Sequence, residues 1–309
     1  MFDCVGFGLL THDRLIKVDE FPVPNRKMYG YEWHEQLGGP AAVGLLTMSS
    51  LGLKSAWGIP LSAYKENPDF FEKYTTGAGL KAVNDSSIRK KVPLPNAVII
   101  IDRKTGERTV ILEQPLILPV LSKSHLKKVT GNTRWIYTDG RDFELTLNLK
   151  SESLRNDTGL FLDIGSKRPE WEKIVKDVRA VIVSDDMMSQ VDSNLEPKEF
   201  LRYLAGMGVK IAGITLGGEG SIFLHEGQYY SVPAHKNSWV KDMTNAGDVF
   251  HGAFLAALIR TGNVRKSANF ASGMASWVTG QYGHNLERLP SRFKKSMNKY
   301  NGLEKSVNN

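Results

Sequence analysis

Asp242-Met243-Thr244-Asn245-Ala246-Gly247-Asp248-Val249-Phe250-His251-Gly252-Ala253-Phe254 sets small residues and carboxylates directly against an apolar helical pattern. From Val249 onward, Val249, Phe250, Phe254, Leu255 and Leu258 recur at helical spacing, which puts Asn245 to Asp248 at the start of a helix. The first N–H groups of a helix have no partner within it, and with the positive end of the dipole they favour an anion such as phosphate. Asp248 at the same corner is placed to take a proton from an attacking hydroxyl, a pairing that suits phosphoryl transfer. Read alone, the same residues also describe an ordinary N-cap and turn.

Bulk properties narrow the classes. The 309 residues suffice for a full hydrophobic core. No run of about 18 apolar residues occurs, and Asp3 stands where a secretory leader would be basic, so a cytoplasmic address without a membrane partner is expected. The single cysteine, Cys4, permits neither an intrachain disulfide nor a cysteine-cluster metal site and reads as a small core residue. The net charge of +7 is dispersed, and its densest groups, Arg89-Lys90-Lys91 and Arg292 to Lys299, read as solvated faces. Without a basic stripe interleaved with aromatics, no nucleic-acid partner is expected. The field instead favours anionic small molecules.

Apolar runs alternate with helical patterns, as a doubly wound parallel sheet with helices on both faces requires. Strands are expected at Cys4 to Leu10, Lys54 to Ile59, Trp135 to Thr138, Leu160 to Asp163, Ala180 to Ser184 and Lys210 to Leu216. Helices are expected at Ala41 to Leu51, Pro68 to Gly79, Pro197 to Met207, Asp248 to Arg260 and Val264 to Thr279. Residues 14–37 and 92–114 break this rhythm with β-rich stretches around the turn Lys104-Thr105-Gly106-Glu107. The tail after Gly302 is expected to fray.

The Asp242 to Asp248 stretch resembles the Asp-Thr-Thr-Gly-Ala-Gly-Asp signature of the ribokinase-like (PfkB) carbohydrate kinases. Gly38-Gly39-Pro40-Ala41-Ala42-Val43-Gly44 resembles that family's sugar-site glycine pair, and Gly213 to Ser221 resembles its nucleotide-side strand and turn. The resemblance spans nearly the whole chain and implies one α/β domain over 1–309. It also implies that 14–37 and 92–114 form a small β lid, which can serve as a homodimer contact.

The resemblance implies an ATP-dependent sugar kinase with Mg²⁺. Asp248 would be the general base, and Asn245, Ala246, Gly247 and Asp248 would form the anion hole, Asn245 standing where the family usually has glycine. Asp13, Gly38 and Gly39 would contact the sugar, and a carboxylate suits a polyol because it accepts several hydrogen bonds. Val43 replaces a polar asparagine of many relatives. Thr215, Gly217 and Gly220 would shape the phosphate-side turn, with Ala271, Ser272 and Ala275 beside adenine. Mg²⁺ would ride mainly on phosphates and water, with Asp242 and Asp185 acting through water; the family's Asn-x-x-Glu is replaced by Ser184-Asp185-Asp186-Met187.

Arg141, just after a strand, could clamp an anionic sugar substituent or form a surface ion pair with Asp139 or Asp142. Gly38 to Ala42, Asp248 to Ala253 and Phe270 to Gly273 look especially like the sulfofructose kinase and ketohexokinase-like subgroup. The expected substrate is therefore a ketose or related sugar, anionic in the subgroup reading. Two alternatives stay open: a nucleoside kinase of the same fold, using Tyr29, Tyr31 and Trp33 around a base, or a sugar- or nucleotide-binding regulator.

Overall fold

The computed structural model describes residues 1–65, 69–85 and 90–307. Along the chain the strands are Phe2–Phe7 (β1), Thr11–Val18 (β2), Gly30–Gly38 (β3), Ser55–Trp57 (β4), Lys81–Ala82 (β5), Asn96–Asp102 (β6) and Arg108–Leu112 (β7). Thr133–Thr138 (β8), Gly159–Ile164 (β9), Ala180–Ser184 (β10), Ile211–Thr215 (β11), Ser221–His225 (β12) and Gln228–Val232 (β13) follow. The helices are Pro40–Ser50 (α1), Asp69–Thr75 (α2), Lys123–Thr130 (α3), Phe143–Asn156 (α4), Trp171–Val175 (α5), Asp185–Val191 (α6), Pro197–Gly206 (α7), Ala246–Thr261 (α8), Val264–Thr279 (α9) and Ser291–Val307 (α10).

A nine-stranded sheet runs β13-β12-β11-β10-β9-β8-β1-β4-β5 and is parallel from β5 to β11. The antiparallel hairpin β12–β13 extends one edge. Val181, Ile182 and Val183 of β10 are all fully buried, the pattern of a strand covered on both faces. The helices form two groups that pack within themselves: α1, α8, α9 and α10 in one, and α3 through α7 along β8 to β12 in the other. The chain steps from β1 towards β4 in one direction and from β8 towards β11 in the other. The carboxyl ends of β1 and β8 thus mark the switch point where open α/β sheets bind ligands.

The second sheet has four strands in the order β3-β2-β6-β7. Its period of two sends Leu15, Ile99 and Ile101 to one buried face, packed with Tyr282, and Asp13 shares that face. Arg14, Val98 and Ile111 lie in register on the opposite face, where Val98 and Ile111 are exposed.

Close helix packing brings the two glycine-rich signatures together. A β-carbon on Gly252 of α8 would fall 2.3 Å from the Gly44 carbonyl oxygen of α1, so only glycine permits this crossing. Val43 is fully buried in the core. The basic residues of α10 up to Lys299 are exposed, as a solvated face should be. The tail expected to fray is helical through Val307. Pro68, Arg89, Asn308 and Asn309 lie outside the described residues.

Candidate active site

The start of α8 is an open cluster of donors. Asn245 caps the helix in the left-handed region, at φ 60° and ψ 8°, a conformation asparagine tolerates better than most side chains. Gly247 is exposed, with no atom within 4 Å of a β-carbon position. The backbone N–H groups of Gly247 and Asp248 have no hydrogen-bond partner among the described residues. Ala246 departs from the expected anion hole, because its N–H is directed to the Met243 carbonyl at 3.4 Å.

Asp248 is partly buried, and its Oδ2 accepts a hydrogen bond from Asn245 Nδ2 at 2.9 Å. Burial and the charge of Asp163 raise its pKa to about 6, against the Asn245 hydrogen bond and the charges of His251 and Arg108. It is therefore mostly ionised at neutral pH while remaining a competent base.

Asp163 sits beneath it in β9. Tyr137 Oη donates to Asp163 Oδ2 at 2.6 Å, and His251 Nδ1 lies 2.7 Å from Asp163 Oδ1. Burial alone would lower the His251 pKa, but the charges of Asp163 and Asp248 prevail and raise it. Sequence reasoning left Asp163 and Tyr137 aside. Their one signal is a carboxylate closing the apolar strand expected at Leu160 to Asp163; β9 runs on to Ile164 and buries it, and burial demands partners.

Asp13 is 3% exposed and accepts a hydrogen bond from Thr11 Oγ1 at 2.5 Å. Burial raises its pKa to about 7; the Thr11 hydrogen bond opposes this, and the charges of Asp248 and Asp242 add to it. Gly38 packs directly against that carboxylate. Gly39, at φ 96°, would place a β-carbon 2.2 Å from the Leu9 carbonyl oxygen.

Asp242 is buried and its carboxylate is occupied by backbone donors: Thr244 N–H on Oδ1 at 2.7 Å and Gly283 N–H on Oδ2 at 2.9 Å. Asp185 is exposed at the first turn of α6 and accepts from the Asp186 N–H. Among the described residues no group of three or more acidic, histidine or cysteine side chains is gathered for a metal.

Thr215 closes β11, and Gly217 and Gly220 form the turn into β12. Of the α9 residues expected beside adenine, Ala271 is in the core, and Ser272 Oγ accepts from His235 N–H at 2.9 Å and donates to the Pro233 carbonyl at 3.2 Å. A cavity of about 690 Å³ lies against a neighbouring face of α9, lined by Asn269, Gly273 and Ser276 with His235, Trp239 and Trp277. Ala271, Ser272 and Ala275 do not line it.

Arg141 and Arg168 follow the carboxyl ends of the adjacent strands β8 and β9. Each has a buried Nε without a hydrogen-bond partner, and neither guanidinium forms an ion pair among the described residues. Of the two alternatives for Arg141, the ion pair with Asp139 or Asp142 is not formed among the described residues. Asp139 instead accepts the backbone N–H groups of Leu9 and Arg141, and Asp142 caps α4. Burial and the Arg141 charge lower the Arg168 pKa against the charges of Asp139 and Asp163, so the two arginines share one region with the buried Asp139.

Two N–H groups without partners, the Asp248 carboxylate and the buried Asp13 carboxylate thus lie near the switch point, and a family model for pfkB family carbohydrate kinases matches residues 1–292. The chain belongs to the PfkB family of carbohydrate kinases. This PfkB kinase is therefore a phosphotransferase with a hydroxyl acceptor. It is 23% identical over 288 residues to a nucleoside kinase of Methanocaldococcus jannaschii, covering 91% of this chain and 90% of that one. It is 24% identical over 294 residues to the ketohexokinase of Mus musculus, covering 91% and 96%. A solved Arabidopsis thaliana ribokinase complexed with ribose and ATP superposes with a TM-score of 0.76 at 16% identity, covering 97% of this PfkB kinase and 98% of that chain.

Proposed function

We propose that this PfkB kinase transfers the γ-phosphoryl group of ATP to a hydroxyl of a ketose or related sugar that carries an anionic substituent. The observation that carries the reading is the pair of open N–H groups at Gly247 and Asp248 beside the Asp248 carboxylate. In this reading Asp248 takes the hydroxyl proton as the sugar oxygen bonds to phosphorus and the bond to the ADP oxygen breaks. The open N–H groups stabilise negative charge on the transferring group. Arg108, whose charge reaches Asp248 from the start of β7, adds to that field.

Asp13, Gly38 and Gly39 hold the sugar. Arg141 and Arg168, neighbouring guanidiniums that form no ion pair among the described residues, suit a phosphate, sulfonate or carboxylate on it. On the nucleotide side, Thr215, Gly217 and Gly220 fit the phosphates. The cavity along α9 supplies aromatic surface and amide groups for a base, from Trp239, Trp277 and Asn269. Mg²⁺ bound with the nucleotide would neutralise phosphate charge, and Asp242 and Asp185 would help to hold it through its water shell.

The nucleoside alternative placed Tyr29, Tyr31 and Trp33 around a base, but all three are exposed, Trp33 at 69%. Together with Val98 and Ile111 they support a homodimer through the small sheet. No helix among the described residues is long and apolar enough to cross a membrane, and a cytoplasmic site of action belongs to the same reading.

The test is a screen of neutral ketoses and aldoses, sulfosugars, sugar acids and nucleosides with ATP and Mg²⁺, reading ADP release and product mass. Phosphorylation of an anionic sugar is expected. Turnover confined to nucleosides would overturn the substrate class, and ligand binding without turnover would favour a regulator.

A further inference from the structure

The small sheet reaches the start of α8 through one buried amide. Gln36 of β3 is 1% exposed, and its Oε1 accepts the backbone N–H of His284 at 2.9 Å. A backbone N–H can only donate, so it fixes which end of the Gln36 amide faces it. The other end, Nε2, donates to Asn245 Oδ1 at 2.8 Å. That contact in turn leaves Asn245 Nδ2 facing Asp248, to which it donates at 2.9 Å. Each bond dictates the polarity of the next, from a backbone donor to the carboxylate.

We propose that Gln36 and Asn245 are positioning residues that hold the Asp248 carboxylate in one orientation and couple it to the seating of the small sheet. The inference rests on the reading of Asp248 as general base and goes beyond it. Glycine at position 245 would keep the left-handed backbone but supply no donor, so asparagine here adds a link to the small sheet. A second contact from the small sheet to the segment before α8 lies close by: the Gly106 carbonyl, in the turn between β6 and β7, accepts the Met243 N–H at 3.0 Å. A donor to a carboxylate favours its charged form, and the link therefore also sets the pH at which Asp248 becomes a base. The other charged or titratable groups facing Asp248 are Asp163 of β9, His251 of α8, Arg108 of β7, Asp13 of β2 and Tyr137 of β8. None of them is altered in the test.

The experiment compares Asn245→Gly, Gln36→Met and the double variant, reading kcat for the sugar identified in the screen against pH, ATP affinity and thermal stability. Glycine adopts φ 60° freely, so Asn245→Gly keeps the fold and decides the matter even where Gln36→Met is unstable. Asn245→Gly is expected to lower kcat about ten- to hundredfold at pH 6. It should also move the acid limb of the profile upward and leave ATP affinity within a few-fold. Gln36→Met should shift the limb in the same direction, and the double variant should shift it no further than Asn245→Gly does. An unmoved acid limb in Asn245→Gly, or fully additive shifts, would overturn the proposal. Asp248→Asn checks the base assignment independently: loss of turnover there with no shift in Asn245→Gly sinks the coupling alone.

Discussion

A β-carbon on Gly38 would fall 1.9 Å from Oδ2 of Asp13, so the strand that ends at the first glycine of the pair forms one wall of the Asp13 carboxylate's seat. Asp13 has no room to retreat, because it is buried and tied to Thr11. Gly38→Ala should therefore displace the carboxylate and lower kcat/KM for the sugar about 10²-fold, the usual cost of misplacing a binding group by about an ångström. ATP affinity should stay within a few-fold. Unchanged sugar kinetics would mean that Asp13 does not touch the substrate.

Burying Asp13 has a thermodynamic consequence. Its pKa rises from an ordinary 3.8 to about 7 in the fold, so across that window the folded chain binds more protons than the unfolded one. Stability from this group is accordingly lost as pH rises from about 4 to 7 and stays lost above. Asp13→Asn removes the ionisable group, and its melting temperature should exceed that of the wild type by about 2 to 6 °C at pH 8 and by much less at pH 5. The same variant should lose sugar affinity. A Tm difference independent of pH would contradict the raised pKa.

The parts of the fold legible in the sequence were those with sustained periodicity. Val264–Thr279 and Ala180–Ser184 match their expected bounds, because a long helical repeat and a short all-apolar run each admit one reading. The hairpin Ser221–His225 and Gln228–Val232 is absent from the expected strands, since its apolar run Ile222-Phe223-Leu224 is short and follows directly on the glycine turn Gly217 to Gly220. Helix Phe143–Asn156 was hidden because its N-cap, Asp142, lay in a stretch read for Arg141. In the site, Asp248, Asp13 and the glycine pair were legible because their chemistry is local. Gln36, Asp163 and Arg168 were not, because their meaning arises only when strands of two sheets, or adjacent strands of one, bring them to a common point.

Arg141 and Arg168 carry the substrate charge in this account. Arg141→Ala should raise KM for an anionic sugar about 10- to 100-fold more than for its neutral analogue, and Arg168→Ala should do the same, since only one substrate makes the charge-assisted contact. Equal effects on both sugars would make the arginines structural and return the substrate class to neutral ketoses.

Asp248→Asn is the most direct test of the mechanism, because it removes the base while keeping a side chain of the same shape beside the open N–H groups of Gly247 and Asp248. Single-turnover phosphorylation of the sugar identified in the screen, measured with ATP affinity on the same protein, should fall by about 10² to 10⁴. ATP binding should stay within a few-fold of the wild type. A variant that phosphorylates the sugar at near wild-type rate would remove Asp248 from the chemistry and contradict the account.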